Sequence, residues 1–224
     1  MAAPTVSGVW DNRRMPGQSK LLSFLLICVV AAAGTVAALY WRHPPPVELA
    51  TGTLLSPSRQ LPDFSLIDTS GRGFDRSNLH GHWSLMFFGY THCPDFCPTT
   101  LVTLAALNKQ LRAEKAAVVP QVIFVSVDAK RDTPEQLAKY VPYFDPQFIG
   151  LTAPQQPTVE SFARTMGVAV AIQAPQGPDG NYTVDHSAQI FVFDPDGKLK
   201  AVLSGPFTVD ALRGDLRRIV SGHA

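Results

Sequence analysis

FFGYTHCPDFCPTTL, residues 87–101, is the stretch from which the rest of the chain can be read. The apolar run Trp83 to Phe88 stops at Gly89, and two cysteines follow, Cys93 and Cys97, each with a proline directly after it. Beyond them Leu101, Leu104, Ala105, Leu107 and Leu111 recur at the spacing of one helical face. An apolar run without alternation is what a central strand buried on both faces requires. The reading is therefore a buried strand, a sharp turn and a helix. Pro98 falls in the helix's first turn, where a missing N–H costs nothing.

That placement has chemical consequences. A helix start presents unpaired N–H groups and a partial positive charge. A thiolate there is stabilised, so its pKa falls below the free value of about 8.5. A spacing of four in a local helical turn puts both sulfurs on one side. Such a pair can oxidise to a disulfide or hold a soft metal such as Cu(I). Metal–sulfur bonds of about 2.3 Å let one ion bridge sulfurs roughly 4 Å apart. Inert structural cysteines sit in apolar surroundings instead, and Thr91, His92, Pro94 and Asp95 do not supply them.

The segment GYTHCPDFCPTTL resembles the copper-site motif of the SCO/SenC family, the membrane-anchored copper proteins that assemble cytochrome c oxidase. The resemblance continues at PDFSLIDTSGRGF (62–74), FVSVDAKRDTPEQLAKYV (124–141) and VDHSAQIFVFDPDGKL (184–199), covering the chain from about Leu61 to its end. Cysteines at this spacing are a weak signal alone; with the RDTPE and DHS segments in order they are specific. The resemblance implies a thioredoxin-like fold with an inserted helix–strand unit. It also implies copper, as Cu(I) and Cu(II), on Cys93, Cys97 and His186, and a redox-active Cys93–Cys97 disulfide. The implied partners are the copper-site subunit of cytochrome c oxidase and an upstream copper donor. Where the family usually has proline after the aspartate at 128, this chain has Ala129.

Upstream of the motif, residues 1–20 are polar and broken by Pro4, Gly8, Pro16 and Gly17. They lack the Arg-rich, acidic-poor amphipathic character of a transit peptide. Residues 21–41 are uncharged, and as a helix they span about 31 Å, matching a bilayer core of about 30 Å. A cleaved signal peptide would have a shorter apolar region and a small-residue cleavage site, so a retained transmembrane anchor is expected. Cys28 within it reads as a small lipid-facing hydrophobe. Arg13, Arg14 and Lys20 precede the run and Arg42 follows it, which places the N-terminal tail in the cytoplasm. The expected location is a bacterial inner membrane with the folded domain in the periplasm; the mitochondrial inner membrane is the lesser alternative. A Pro-rich linker over 42–60 opens with His43-Pro44-Pro45-Pro46. The folded domain is assigned to 61–224, with ordered structure beginning near Gly52.

Downstream, strands and helices alternate. Phe64 and Leu66 lead into a turn at Asp68–Gly71; 121–127 is a second buried strand; Thr133-Pro134 opens a helix as cap and first residue. A short strand at 148–151, a helix at 158–166 and an extended piece at 168–172 follow. A Pro/Gly-rich loop then spans 173–182, and two strands, 189–193 and 199–203, are joined by Asp194-Pro-Asp-Gly197. A helix over 208–221 closes the chain. The predicted class is α/β, a mixed sheet flanked by helices.

His186 stands just after the loop and just before a strand. Its local sequence alone equally suits a surface histidine, and the match of Val184-Asp185-His186-Ser187 to the family is what makes it the third ligand. His92 is read as an exposed turn residue able to influence the thiols, His80 and His82 as solvated, and His43 and His223 as parts of the linker and the tail. Asp128 lies at the carboxyl end of a strand, where function gathers in α/β sheets; it is read either as tuning the thiols or contacting a partner, or as a turn carboxylate. With 46% hydrophobic residues, a net charge of +1 and no basic stripe, nucleic acid is not an expected partner. Three cysteines are too few for a disulfide scaffold. A metallochaperone is the first functional expectation and a thiol–disulfide oxidoreductase acting on the oxidase cysteines the second. A peroxidase is set aside, because no arginine neighbours either cysteine in sequence.

Overall fold

The computed structural model of the chain describes residues 18–42, 48–174 and 181–222, with helix side chains described over 21–36 in the first of these. The chain divides into two compact units, Met1–Pro46 and Val47–Ala224. The first holds α1, Gln18–Arg42. Over residues 21–36 its large apolar side chains, Leu21, Leu22, Phe24 and Ile27 among them, are exposed. Among the described residues no helix is long and apolar enough to cross a membrane. Residues 1–17, 43–47 and 175–180, which include most of the expected tail, the start of the linker and the Pro/Gly-rich loop, lie outside the described residues.

The strands of the second unit are β1 (Gly52–Arg59), β2 (Leu66–Asp68), β3 (Gly73–Phe74), β4 (Ser84–Gly89), β5 (Gln121–Ser126), β6 (Ile149–Thr152), β7 (Val170–Ile172), β8 (Val184–His186), β9 (Gln189–Phe193) and β10 (Leu199–Ser204). Eight form one sheet, in the order β1–β10–β9–β4–β5–β6–β2–β3, while β7 and β8 form a separate antiparallel ribbon. β4 runs parallel to β5 and antiparallel to β9, so the sheet is mixed, as the alternation of elements predicts. Every residue of β4 is buried. The helices are α2 (Phe96–Ala113), α3 (Pro134–Phe144), α4 (Gln156–Thr165) and α5 (Val209–Ser221).

The side-chain alternation of β4 decides which helix packs where. Phe87 points to one face, where it meets Phe96 of α2 and Phe124 of β5, and Phe124 meets Tyr140 of α3. Phe88 points to the other face, against Phe191 and against Phe162 of α4. α2 buries Cys97, Leu101, Leu104, Leu107 and Leu111, one stripe at helical spacing. Thr133 caps α3 through Gln136 N–H at 3.3 Å, with Pro134 as its first residue. α2 begins at Phe96, which puts Cys97 and Pro98 in its first turn.

Residues 52–59, read from sequence as the end of the linker, form the edge strand β1 against β10. Their pattern did not announce a strand because β1 is interrupted by Pro57 and its register shifts between Leu54 and Arg59. One row crosses the sheet from Phe87 to Ile190, then Leu203, then Gly52. Just before β1, the fully buried Asp215 of α5 accepts the N–H groups of Ala50 and Thr51 at 2.7 and 2.8 Å and the Thr51 hydroxyl at 2.6 Å. Replacing Asp215 with Ala strands those donors, so unfolding stability should fall by about 3 kcal/mol. In urea titrations the midpoint should drop with the slope unchanged.

Candidate metal centre

The strand-to-helix turn places the two sulfurs. β4 ends at Gly89, whose carbonyl accepts Val127 N–H at 2.8 Å, and the chain turns so that Cys93 N–H bonds the Tyr90 carbonyl at 3.2 Å. Asp95 occupies the capping position of α2, yet its side chain makes no capping bond. The Cys93 sulfur takes that place, accepting Cys97 N–H at 3.4 Å. A sulfur at a helix N-terminus is in a site built for an anion. Hydrogen bonding from the Cys97 thiol, helped by His186 and the helix N–H groups, pulls the Cys93 pKa down to about 4 against the opposing effect of burial. Cys97 moves the other way, because it donates to Cys93 and is itself fully buried. The pair thus holds one proton on the inner sulfur and a negative charge on the outer, half-buried one.

His186 arrives from the ribbon. It is the last residue of β8, a three-residue strand with no counterpart in the sequence reading, and it precedes β9 as expected. Its Nδ1 lies 3.2 Å from the Ser187 carbonyl. A carbonyl can only accept, so when the ring acts as a ligand its proton sits on Nδ1 and the Nε2 lone pair is available. Nε2 is 3.4 Å from Cys97 Sγ. Phe87 and Tyr90 flank the ring edge-on at centroid distances of 6.3 and 6.0 Å. The ligand atoms of Cys93, Cys97 and His186 all lie within 4.8 Å of one another. Two sulfurs and one imidazole nitrogen at that separation suit a soft monovalent cation in three-fold coordination.

Gly89 and the segment 128–132 complete the surroundings, and of these residues the sequence reading had given only Asp128 a role at the site. A Cβ at Gly89 would stand 2.9 Å from Cys97 Sγ and 2.7 Å from Phe124 Cε2. Asp132 is fully buried and holds the turn, accepting Thr91 N–H at 2.8 Å and the Thr91 hydroxyl at 2.6 Å. Asp128 is equally buried and accepts from the Arg131 guanidinium and, at 2.8 Å, from the Tyr182 hydroxyl. Burial rules out direct partner contact by Asp128. Ala129 N–H donates to Gln156 Oε1 at 2.8 Å, a bond that proline at 129 could not make. The signal for these residues was present as two acids, Asp128 and Asp132, closely following the end of β5.

The remaining histidines stay apart from the cluster. His92 is exposed and turns its Nδ1 towards the Thr91 hydroxyl, 3.1 Å away, and the Asp132 carboxylate, 3.9 Å away. His80 is exposed as expected. His82 differs from the reading: it is half-buried, and its Nε2 has no hydrogen-bond partner among the described residues. His43 and His223 lie outside the described residues.

The divided proton gives a pH-dependent prediction. An ordinary cysteine, with a pKa near 8.5, loses about tenfold in thiolate for each pH unit below it. Iodoacetamide should instead label Cys93 at a rate nearly flat from pH 8 to pH 5, halving near pH 4 as the thiolate takes its proton. Cys97 should stay unlabelled on that timescale. Peptide mass analysis across the pH series measures both.

The comparisons with known proteins align with this geometry. The SCO1/SenC family profile matches residues 53–221. A candidate copper-binding protein of Stutzerimonas stutzeri is 34% identical over 209 residues, 93% of this chain and 100% of that relative. The mitochondrial SCO2 homolog of Bos taurus is 36% identical over 156 residues, 70% of this chain and 58% of that protein's length. The crystal structure of Arabidopsis thaliana ScoI with copper bound superimposes at a TM-score of 0.67 with 34% identity, over 72% of this chain and 98% of that one. BsSco, described as a member of the Sco family of cytochrome c oxidase assembly proteins and as having a disulfide switch, superimposes at 0.57 with 27% identity, over 75% and 96% of the two chains.

Proposed function

The chain belongs to the SCO1/SenC family, and from that premise we propose that it is a membrane-anchored copper metallochaperone. Its cargo is copper, received from an upstream donor and delivered to the dinuclear copper site of cytochrome c oxidase. The observation that carries this reading is the convergence of the Cys93, Cys97 and His186 ligand atoms within 4.8 Å. The donor set fits the cargo: thiolates select Cu(I), and an imidazole makes Cu(II) acceptable as well. The copper-bound ScoI relative and the oxidase-assembly description of BsSco support the same assignment. Cys93, half-buried, is the sulfur through which ligand exchange with a partner proceeds.

A second reading draws on the unequal thiols. A half-exposed thiolate backed by a buried thiol is the arrangement that attacks a partner disulfide and then resolves it as Cys93–Cys97. Reduction of the oxidase cysteines would use the same two residues but not His186. Replacing His186 with Ala separates the two. Copper titration of the reduced variant should show Cu(II) affinity lost more than Cu(I) affinity, with disulfide formation intact. Copper binding equal to that of the parent removes His186 as a ligand. Lost copper binding with oxidase assembly retained in cells makes the reductase reading the correct one.

The proposed organisation is a cytoplasmic tail over 1–20, an anchor over 21–41, a linker from residue 42, and the copper-binding domain to 224. Support for the anchor is the uncharged run itself and the exposed apolar side chains of α1. A helix that is apolar all round has no aqueous solution. The proposed location is the bacterial inner membrane with the domain in the periplasm. A periplasm-active reporter fused after Ala224 should be active; activity of a cytoplasm-only reporter at the same position would overturn the orientation.

A further inference from the structure

Two buried carboxylates stand on one short segment behind the site, and each holds a different half of it. Asp132 accepts Thr91 at two atoms and the Ser126 hydroxyl at 2.6 Å, which fixes the turn carrying Cys93. Asp128 holds Tyr182 and Arg131. Arg131 also donates from Nη1 to the Tyr182 carbonyl at 2.9 Å, and its Cζ lies 3.6 Å from the Tyr182 ring centroid and 5.7 Å from that of Tyr90. Tyr182 is therefore gripped at its hydroxyl, its ring face and its backbone.

What Tyr182 leads into gives that grip its meaning. Four residues later comes His186, on a strand paired with β7 and not with the main sheet. The hydrogen bonds joining Ala169 and Ser187 close the ribbon end without reaching the cysteines, so they do not by themselves set its distance from them. That distance is set by links from the ribbon to the body. Arg131 provides one from the same five-residue segment that holds the cysteine turn. The guanidinium suits the task because it is planar, permanently charged and able to stack while donating in two directions; an ammonium cannot do this.

We propose that Arg131, seated by Asp128, is a positioning residue that holds the ribbon at Tyr182 so that His186 Nε2 stands against Cys97 Sγ. The proposal rests on the copper reading of the site. Two thiolates satisfy Cu(I) largely by themselves, whereas Cu(II) depends on the nitrogen ligand. A loosened latch therefore lowers Cu(II) affinity selectively.

The test uses the full chain in detergent, with Arg131→Lys and Tyr182→Phe. Cu(II) is titrated by the thiolate-to-copper absorption band, and Cu(I) by competition with a chromogenic chelator. Supporting groups around metal ligands are worth on the order of 10–100-fold in affinity. Arg131→Lys should lose about tenfold or more for Cu(II), within that range, with Cu(I) binding little changed. Tyr182→Phe, which keeps the ring and loses one bond, should fall between it and the parent. In the copper-free protein, amide exchange over residues 184–187 should quicken in Arg131→Lys while β4 exchange stays as in the parent. Unchanged Cu(II) affinity and band shape in both variants overturns the latch. Equal losses for Cu(I) and Cu(II), accompanied by faster exchange throughout the sheet, overturn it in favour of a purely structural Arg131. Failure of the parent itself to bind copper overturns the copper reading and is distinguishable from either.

Discussion

Everything at this site depends on the absence of one carbon atom. The Cys97 sulfur rests against the backbone of Gly89 so closely that a methyl group there would meet it at 2.9 Å and the Phe124 ring at 2.7 Å. Contacts that short force a shift, and overpacking of this kind costs roughly 1–3 kcal/mol. The glycine lets helix α2 start directly above the end of β4, which sets how deep the inner sulfur lies. The outer sulfur follows one turn earlier, at the capping position that Asp95 leaves unused. A buried strand end, a helix start and two sulfurs are thus fixed by a single close approach.

The electrostatics around the sulfurs has an unusual sign. Two fully buried carboxylates, Asp128 and Asp132, lie behind a pair of thiols of which one is already ionised. Burying such charges costs several kcal/mol apiece unless they are well paired. Here each is: Asp132 accepts three hydrogen bonds from Thr91 and Ser126, and Asp128 is met by a guanidinium and a phenol. Asp132, which has no lysine or arginine paired with it among the described residues, adds to the resistance of Cys97 to ionising beside the Cys93 thiolate, and negative charge of this kind favours a cation between the donors. Burial, and after it the hydrogen bond to Asp128, raises the Tyr182 phenol to about 12.

Much of this was legible in the sequence. The apolar run, the glycine stop and the two cysteines specified the central strand, the turn and the helix, because burial on both faces and helix capping leave direct marks on composition. The hairpin at Asp194–Gly197 was equally plain, with Gly197 at φ 70° where a left-handed residue is needed. β1 was not legible, since an edge strand half exposed and broken by Pro57 has neither alternation nor a run. β8 was missed because three residues carry no period, and its pairing with β7 is fixed across a loop. Cys93, Cys97 and His186 were named from motif and resemblance, and folding brings them together. Arg131, Tyr182 and Gly89 could not be assigned their places, because their partners come from distant segments and contacts of that kind leave no local pattern.

The row Phe87–Ile190–Leu203–Gly52 has a mechanical meaning. Gly52 is three strands from Phe87, about 14 Å at ordinary strand spacing, and lies at the end of the sheet that carries the sulfurs. Asp215 clasps the two residues just ahead of it. The chain therefore enters the sheet close to its reactive end, not at the far end marked by Arg59. A body hung near its working point swings that point through a small arc while the rest of its mass sweeps widely. The local concentration a tethered site offers rises as the volume it explores shrinks, so in the proposed anchored protein the clasp at Asp215 would be a short lever arm for the sulfurs.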